Sequence, residues 1–331
     1  MTTPRILRLL LAALALVSCL AVLAACGDDD EDGGSGSSGT TTQEETTAGI
    51  QRNADNAKTT LTVGSKNFTE QIVLGEIYAQ AFEAAGYKVR KEFNLGDEQT
   101  ARKALTGGQI SGYPEYTGTI LLSFLDVPAA DLPSDEGEAY DQAKAGMAED
   151  GIQALPPTPF TSSNEVGLLK TEADKLGVTK ISDLQGKDQD LTLYGSPECR
   201  TRRDCLLGLQ QVYDLKFKKF VPVNIDQRHE VLTKGQADLS IVFTTDAQIK
   251  RNKEVLLEDD KGMFPPYNST FLVRDAVAKE AGPDLAKVVE QVNENLTAEV
   301  MQELNARVDI DKDTPEQAAA AYLEQFKLVG S

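Results

Sequence analysis

The sequence predicts an α/β chain of two similarly built lobes with a cleft between them, and three observations predict it. From residue 59 onward the pattern alternates strand and helix. A five-residue string recurs, with its surroundings, 127 positions later. Two proline clusters stand where a chain would cross from one lobe to the other and back.

The elements follow in order. Leu61-Thr62-Val63 is a short β-type run ending at Gly64. Leu74, Ile77, Tyr78, Ala81, Phe82 and Ala85 then fall on one face of a helix closed by Gly86, with Thr69 as its N-cap and Glu70 in the first turn. Tyr87 to Phe93 is the next strand and Glu98 to Leu105 the next helix. Such alternation implies a mainly parallel sheet with helices on both faces.

Leu105-Thr106-Gly107-Gly108-Gln109 recurs as Leu232-Thr233-Lys234-Gly235-Gln236, and at the same offset Tyr116-Thr117 falls on Phe243-Thr244. Each copy reads as a helix end, a glycine turn, a short strand, then an aromatic and a hydroxyl residue. Ligands of open α/β sheets bind outside the carboxyl ends of strands. Two such lobes face each other across a cleft walled by rings and hydroxyls. The crossings fall at Pro156-Pro157-Thr158-Pro159 and Pro265-Pro266-Tyr267, since proline suits extended connections. Leu285, Val288, Val289 and Val292 mark a C-terminal helical part that packs back on the first lobe.

The N-terminus is of another kind. Arg5 and Arg8 precede an apolar run from Leu9 to Leu23, about 15 residues, the size of a signal-peptide core and short of a bilayer span. It ends in Leu23-Ala24-Ala25-Cys26-Gly27, which resembles a lipoprotein cleavage site with Cys26 as the lipidated residue. Residues 27 to about 58 are rich in Gly, Ser, Thr, Asp and Glu, with Ile50 the one sizeable aliphatic side chain, and read as a tether. The expected organisation is thus a signal peptide (1–25), a lipidated cysteine and tether (26–58), one lobe from 59–160 with 267–331, and a second from 161–266.

Composition narrows the function. A net charge of -19 argues against a nucleic-acid backbone as partner. A single histidine, His229, and no cysteine pair at zinc spacing argue against a metal enzyme, and no cofactor is expected. No nucleophile–base pair assembles, since no Gly-x-Ser-x-Gly elbow accompanies His229. Gly64-Ser65-Lys66 lacks the spacing of a phosphate loop. Cys199 and Cys205, six apart in an exported chain, read as a local disulfide, with two free buried thiols as the alternative.

Several segments resemble one family. Gly64-Ser65-Lys66-Asn67-Phe68-Thr69-Glu70-Gln71, Tyr113-Pro114-Glu115-Tyr116-Thr117-Gly118-Thr119, Thr245-Asp246, Leu257-Glu258-Asp259-Asp260-Lys261 and Phe264-Pro265-Pro266-Tyr267-Asn268 are similar, in order, to substrate-binding proteins of osmoprotectant ABC transporters. The family imports glycine betaine, choline, carnitine and relatives. The resemblance implies a type II periplasmic-binding fold and binding without catalysis. It also implies a monomer held outside the cell membrane by its lipid, delivering solute to a permease served by a separate ATPase subunit.

It further implies roles. Tyr116 and Tyr267 match cage tyrosines, and Phe243 lies at or beside a third aromatic position. Lys66, Thr119 and Arg202 match positions that hold the carboxylate or line the pocket, and Asn67 and Asn164 complete the candidate set. Rings suit a trimethylammonium group, which donates no hydrogen bond, while a carboxylate needs cations or donors. Two departures stand out. Ser163-Asn164-Glu165-Val166 has no ring where relatives carry one, and Asp226-Gln227-Arg228-His229 has His229 where a tyrosine is common. The cation pair favours betaines over choline, and the missing ring keeps open a second ligand class, another small carboxylate such as an amino acid.

Overall fold

The computed structural model describes residues 49–128 and 131–330. The expected signal peptide, the expected lipidation residue Cys26 and most of the expected tether lie outside them. Residues 49–58, read as the end of the tether, are instead built onto the folded body. The Ile50 amide donates to the Leu328 carbonyl at 2.8 Å and the Asn53 amide to that of Ala85 at 2.9 Å. Asn53 also caps a single helical turn, Ala54–Lys58. Backbone bonds make this attachment, which is why polar composition conceals it.

Two five-stranded sheets carry the fold. The first contains β1 (Thr60–Gly64), β2 (Lys88–Glu92), β3 (Gly112–Tyr116), β4 (Ile152–Ala154) and β10 (Ser269–Arg274), in the order β2-β1-β3-β10-β4. The second contains β5 (Asn164–Leu169), β6 (Thr192–Gly195), β7 (Lys219–Pro222), β8 (Leu239–Phe243) and β9 (Glu254–Leu256), in the order β7-β6-β8-β5-β9. The sheets are mixed rather than mainly parallel. β1 runs parallel to β2 and β3, but β10 is antiparallel to β3 and β4. Likewise β6 is parallel to β7 and β8, and β5 antiparallel to β8 and β9. β5 and β10 are the strands that follow the two crossings. Each enters its sheet from the cleft side, so it must run against the strand that ends there.

The repeat is visible in this geometry. The helix Glu98–Thr106 leads into β3, and the helix Glu230–Thr233 leads into β8. Gly108 and Gly235 stand at the same place between them with φ of 77° and 65°, a conformation glycine adopts at little steric cost. Tyr116 ends β3 opposite Ser269, and Phe243 ends β8 opposite Asn164. Both rings therefore stand at carboxyl ends of central strands.

The crossings lie side by side. The Thr158 amide donates to the Ser269 carbonyl at 2.8 Å and the Ser162 amide to that of Tyr267 at 3.0 Å. The first helix spans Thr69–Ala84, but its N-cap is Phe68, and Thr69 instead turns its hydroxyl to Asp309 Oδ1 at 2.6 Å. Leu285, Val288, Val289 and Val292 are buried with Leu74, Ile77 and Phe82 in one core, so the C-terminal helices pack on the first lobe. A separate core around Val166, Leu193, Leu209 and Leu239 serves the second.

A ring-lined candidate site between the sheets

Lys66, Asn67, Tyr116, Thr119, Asn164, Arg202, Phe243 and Tyr267 all line one cavity of about 70 Å³. Lys66 and Tyr116 come from the ends of β1 and β3, Phe243 and Asn164 from the facing ends of β8 and β5. Arg202 comes from the loop after β6. Residues far apart in sequence meet because both lobes point their strand ends at the same space.

The rings form a connected group. Phe68, which enters the sequence reading only as part of a motif, also lines the cavity. Its centroid lies 5.2 Å from that of Phe243 and 6.4 Å from that of Tyr116. With Tyr267, four aromatic side chains face the cavity although Asn164 supplies none. Tyr116 donates its hydroxyl to Glu70 Oε1 at 2.7 Å, and Tyr267 donates to Asp204. Burial raises both phenol pKa values, and the neighbouring Glu70 and Asp204 carboxylates raise them further, so both remain protonated donors.

The cations are held by buried carboxylates. Lys66 pairs with Glu115 and stands 4.7 Å from the Tyr116 ring centroid. Arg202 donates from Nε to Asp204 Oδ1 at 2.8 Å, and its Nη1 lies 2.9 Å from Glu98 Oε1 of the first lobe. Asp204 also accepts from Asn164 Nδ2 at 3.0 Å, so one buried carboxylate orients Arg202, Asn164 and Tyr267 together. Burial opposes the Asp204 charge, and the Arg202 guanidinium beside it holds the carboxyl below its ordinary range. Sequence spacing carries no sign of Glu115, Asp204 or Glu98 as partners, because each pairing is a product of the fold.

A disulfide joins Cys199 and Cys205, with 5.1 Å between their Cα atoms, and the loop it closes carries Arg202 and Asp204. His229 does not line the cavity. It is buried behind it, with Nε2 2.8 Å from Asp246 and Nδ1 2.7 Å from Glu254. Its neighbour Arg228 lines the cavity in its place. Among the described residues no cluster of His, Cys, Asp and Glu is placed to hold a metal ion.

Two lobes joined by paired crossings, with rings and cations aimed into the space between, define a solute-binding protein of the periplasmic type. Residues 59–325 match the substrate binding domain of ABC-type glycine betaine transport systems, and the chain belongs to that family. It is 33% identical over 281 residues to the glycine-betaine-binding protein of Pseudomonas aeruginosa, covering 82% of this chain and 89% of the relative. It is 29% identical over 280 residues to the ergothioneine transport permease/ergothioneine binding protein EgtU of Helicobacter pylori, covering 84% of this chain and 50% of that longer protein. A crystal structure of a glycine betaine/carnitine/choline ABC transporter shares the fold, with a TM-score of 0.66 at 21% identity over 81% of this chain and 99% of the other.

Proposed function

We propose that this chain captures a quaternary-ammonium zwitterion such as glycine betaine outside the membrane and delivers it to the permease of an ABC importer. The observation that carries this reading is the convergence of Phe68, Tyr116, Phe243 and Tyr267 with Lys66 and Arg202 on one small cavity. Each ring face offered to a trimethylammonium group contributes roughly 0.5–2 kcal/mol, more when water is excluded. The Lys66 ammonium already stands over the Tyr116 ring, so that face accepts a cation. Lys66 and Arg202, one from each lobe, take the carboxylate. Ligand bound to one lobe then favours closure through its contacts to the other, with the two side-by-side crossings as the hinge. The chain binds its solute and leaves it chemically unchanged, in keeping with a His229 whose two nitrogens are both engaged by carboxylates away from the cavity. Cys26 is the lipid attachment point in this reading, and the working form is a monomer.

Asn164 supports a second reading. It offers an amide tied to Asp204 where a cage ring would otherwise stand, which suits a solute with a polar rather than methylated ammonium, such as an amino acid. Calorimetry and thermal melts of the purified chain against glycine betaine, proline betaine, carnitine, choline and common amino acids decide between them. A solute at 100 times its dissociation constant adds about 2.7 kcal/mol of stability. A shift with betaines and none with amino acids supports the first reading; the reverse replaces it with the second.

A further inference from the structure

Arg228 lines the cavity, yet it lies in none of the motifs that carried the candidate site. Its guanidinium carbon sits 4.5 Å from the Phe243 ring centroid. Nε and Nη2 donate to the two oxygens of Asp246, and Nη1 donates to the Ile225 carbonyl. A guanidinium has five N–H groups, so two remain beyond these three.

Asp246 is shared. It also accepts from the Phe243 amide at 2.8 Å and lies 2.8 Å from His229 Nε2. The other ring nitrogen, Nδ1, is 2.7 Å from Glu254 Oε2, and Glu254 Oε1 accepts from Asn252 at 2.8 Å. A neutral imidazole donates from one nitrogen only and would set a lone pair against one of these carboxylates. An imidazolium donates to both. Burial opposes that charge, but the hydrogen bonds to Asp246 and Glu254 together with the Asp246 charge outweigh burial and the repulsion of Arg228, and the His229 pKa is raised. Asp309 and Glu70 act on Arg228 from the helices Ala298–Asp309 and Thr69–Ala84.

The charge balance differs among the three cations of the cavity. Lys66 has Glu115 to itself, and Arg202 stands between Asp204 and Glu98. Arg228 shares Asp246 with His229, whose other nitrogen is held by Glu254, so the field at Arg228 is more positive with an imidazolium beside it than with a neutral imidazole. We propose that Arg228 is a further solute-contacting residue that binds a carboxylate of the solute with its two remaining N–H groups, and that His229 positions it and sets its free charge through Asp246. When His229 loses its proton, Asp246 and Glu254 outnumber the remaining cation, and the attraction of Arg228 for a carboxylate falls. The proposal rests on reading the site as one for a zwitterion.

The test is calorimetry of glycine betaine and choline on the wild-type chain, Arg228→Gln and His229→Gln between about pH 6 and about pH 9. Expected is a glycine betaine affinity that weakens on the wild type as pH rises, while choline, which has no carboxylate, stays flat. Arg228→Gln should weaken glycine betaine about tenfold or more and choline by no more than about threefold, in line with the loss of a charge-assisted hydrogen bond. His229→Gln should abolish the pH slope. Should Arg228→Gln fail to fold, Arg228→Lys serves, keeping the charge and losing the fork. Flat glycine betaine affinity across pH, or equal losses for both solutes, overturns the proposal while the functional reading stands. If neither solute binds the wild type, the functional reading falls and this proposal with it.

Discussion

Phe68 and Phe243 come from opposite lobes and meet across the cleft with 5.2 Å between ring centroids, inclined at 48°. The contact joins the turn after β1 to the end of β8, so it exists only while the lobes face each other. Phe68 also neighbours Tyr116 and, at 5.7 Å, the Lys66 ammonium. Replacing Phe68 with Ala removes one wall of the cavity and one inter-lobe contact. We expect glycine betaine affinity to fall about tenfold or more, the worth of one desolvated cation–π face with its aromatic pair. Phe68→Tyr should retain most of it. Calorimetry on both variants checks this, and an unchanged Phe68→Ala would remove that ring from the cage.

Glu70 links the two lobes beside the site. Its carboxylate accepts from Tyr116 and Thr245 and, at 2.9 Å, from Asn305 of the C-terminal helix Ala298–Asp309. Thr245 belongs to the second lobe and the other two to the first. Glu70→Ala takes the acceptor from the Tyr116 hydroxyl and one acceptor each from Thr245 and Asn305, which keep the Ser162 hydroxyl and the Thr245 carbonyl as partners. A buried donor left unpaired costs about 1–3 kcal/mol, with water entry offsetting part. Urea unfolding should show a loss of about 2–4 kcal/mol, and solute affinity should fall because the Tyr116 ring is no longer anchored. Glu70→Gln keeps the shape and two acceptor sites and should recover about half of the stability.

Much of this site is legible in the sequence alone, and for identifiable reasons. The Leu-Thr-x-Gly-Gln repeat exposes Tyr116 and Phe243 as equivalent strand ends because the same turn glycine precedes each strand. The motifs around Lys66, Thr119 and Tyr267 are local strings, and local strings survive in a one-dimensional reading. What the sequence hides is non-local. Glu70 and Thr245 are 175 positions apart, and Tyr267 and Asp204 are 63 apart. Phe68 stands at a helix start, where an apolar residue reads as packing. Arg228 is overshadowed by His229 beside it, since a lone histidine draws attention that an arginine among 33 basic residues does not. The antiparallel entry of β5 and β10 stays hidden because alternation of strand and helix says nothing of the direction in which a strand returns from the other lobe.

The disulfide holds the loop that presents Arg202 and Asp204. Closing a loop of six residues restrains the unfolded chain by about 2 kcal/mol. Reduction, or Cys199→Ser with Cys205→Ser, should lower unfolding free energy by about that amount. It should also weaken solute binding more than it weakens the fold. Asn164, Arg202 and Tyr267 all depend on Asp204, which lies one residue before Cys205. Parallel urea titrations and calorimetry with and without reductant separate the two effects. An affinity indifferent to reductant would assign the bridge to stability alone.

Glu165 sets the pH dependence of stability apart from that of binding. It follows Asn164 on β5, pairs in register with Val242, and has one buried oxygen without a hydrogen-bond partner. Burial, with the charge of Asp259 added, raises its pKa to about 8. The folded state therefore retains a proton that the unfolded chain releases near pH 4.5. Between those values the native state binds more protons, so unfolding free energy falls as pH rises and levels off above about pH 8. His229 acts in the same sense. Its raised pKa contributes stability that is present below the unfolded value and lost as pH passes the folded one. The two are separable by substitution. Glu165→Gln removes the ionisation but keeps an acceptor, so it should flatten most of the fall between about pH 5 and about pH 8 and raise stability at alkaline pH. The His229 contribution remains in that variant. Melts of the wild type and Glu165→Gln across this range measure the difference directly, and two parallel curves would show that the Glu165 carboxyl is solvated and ionised in the native chain.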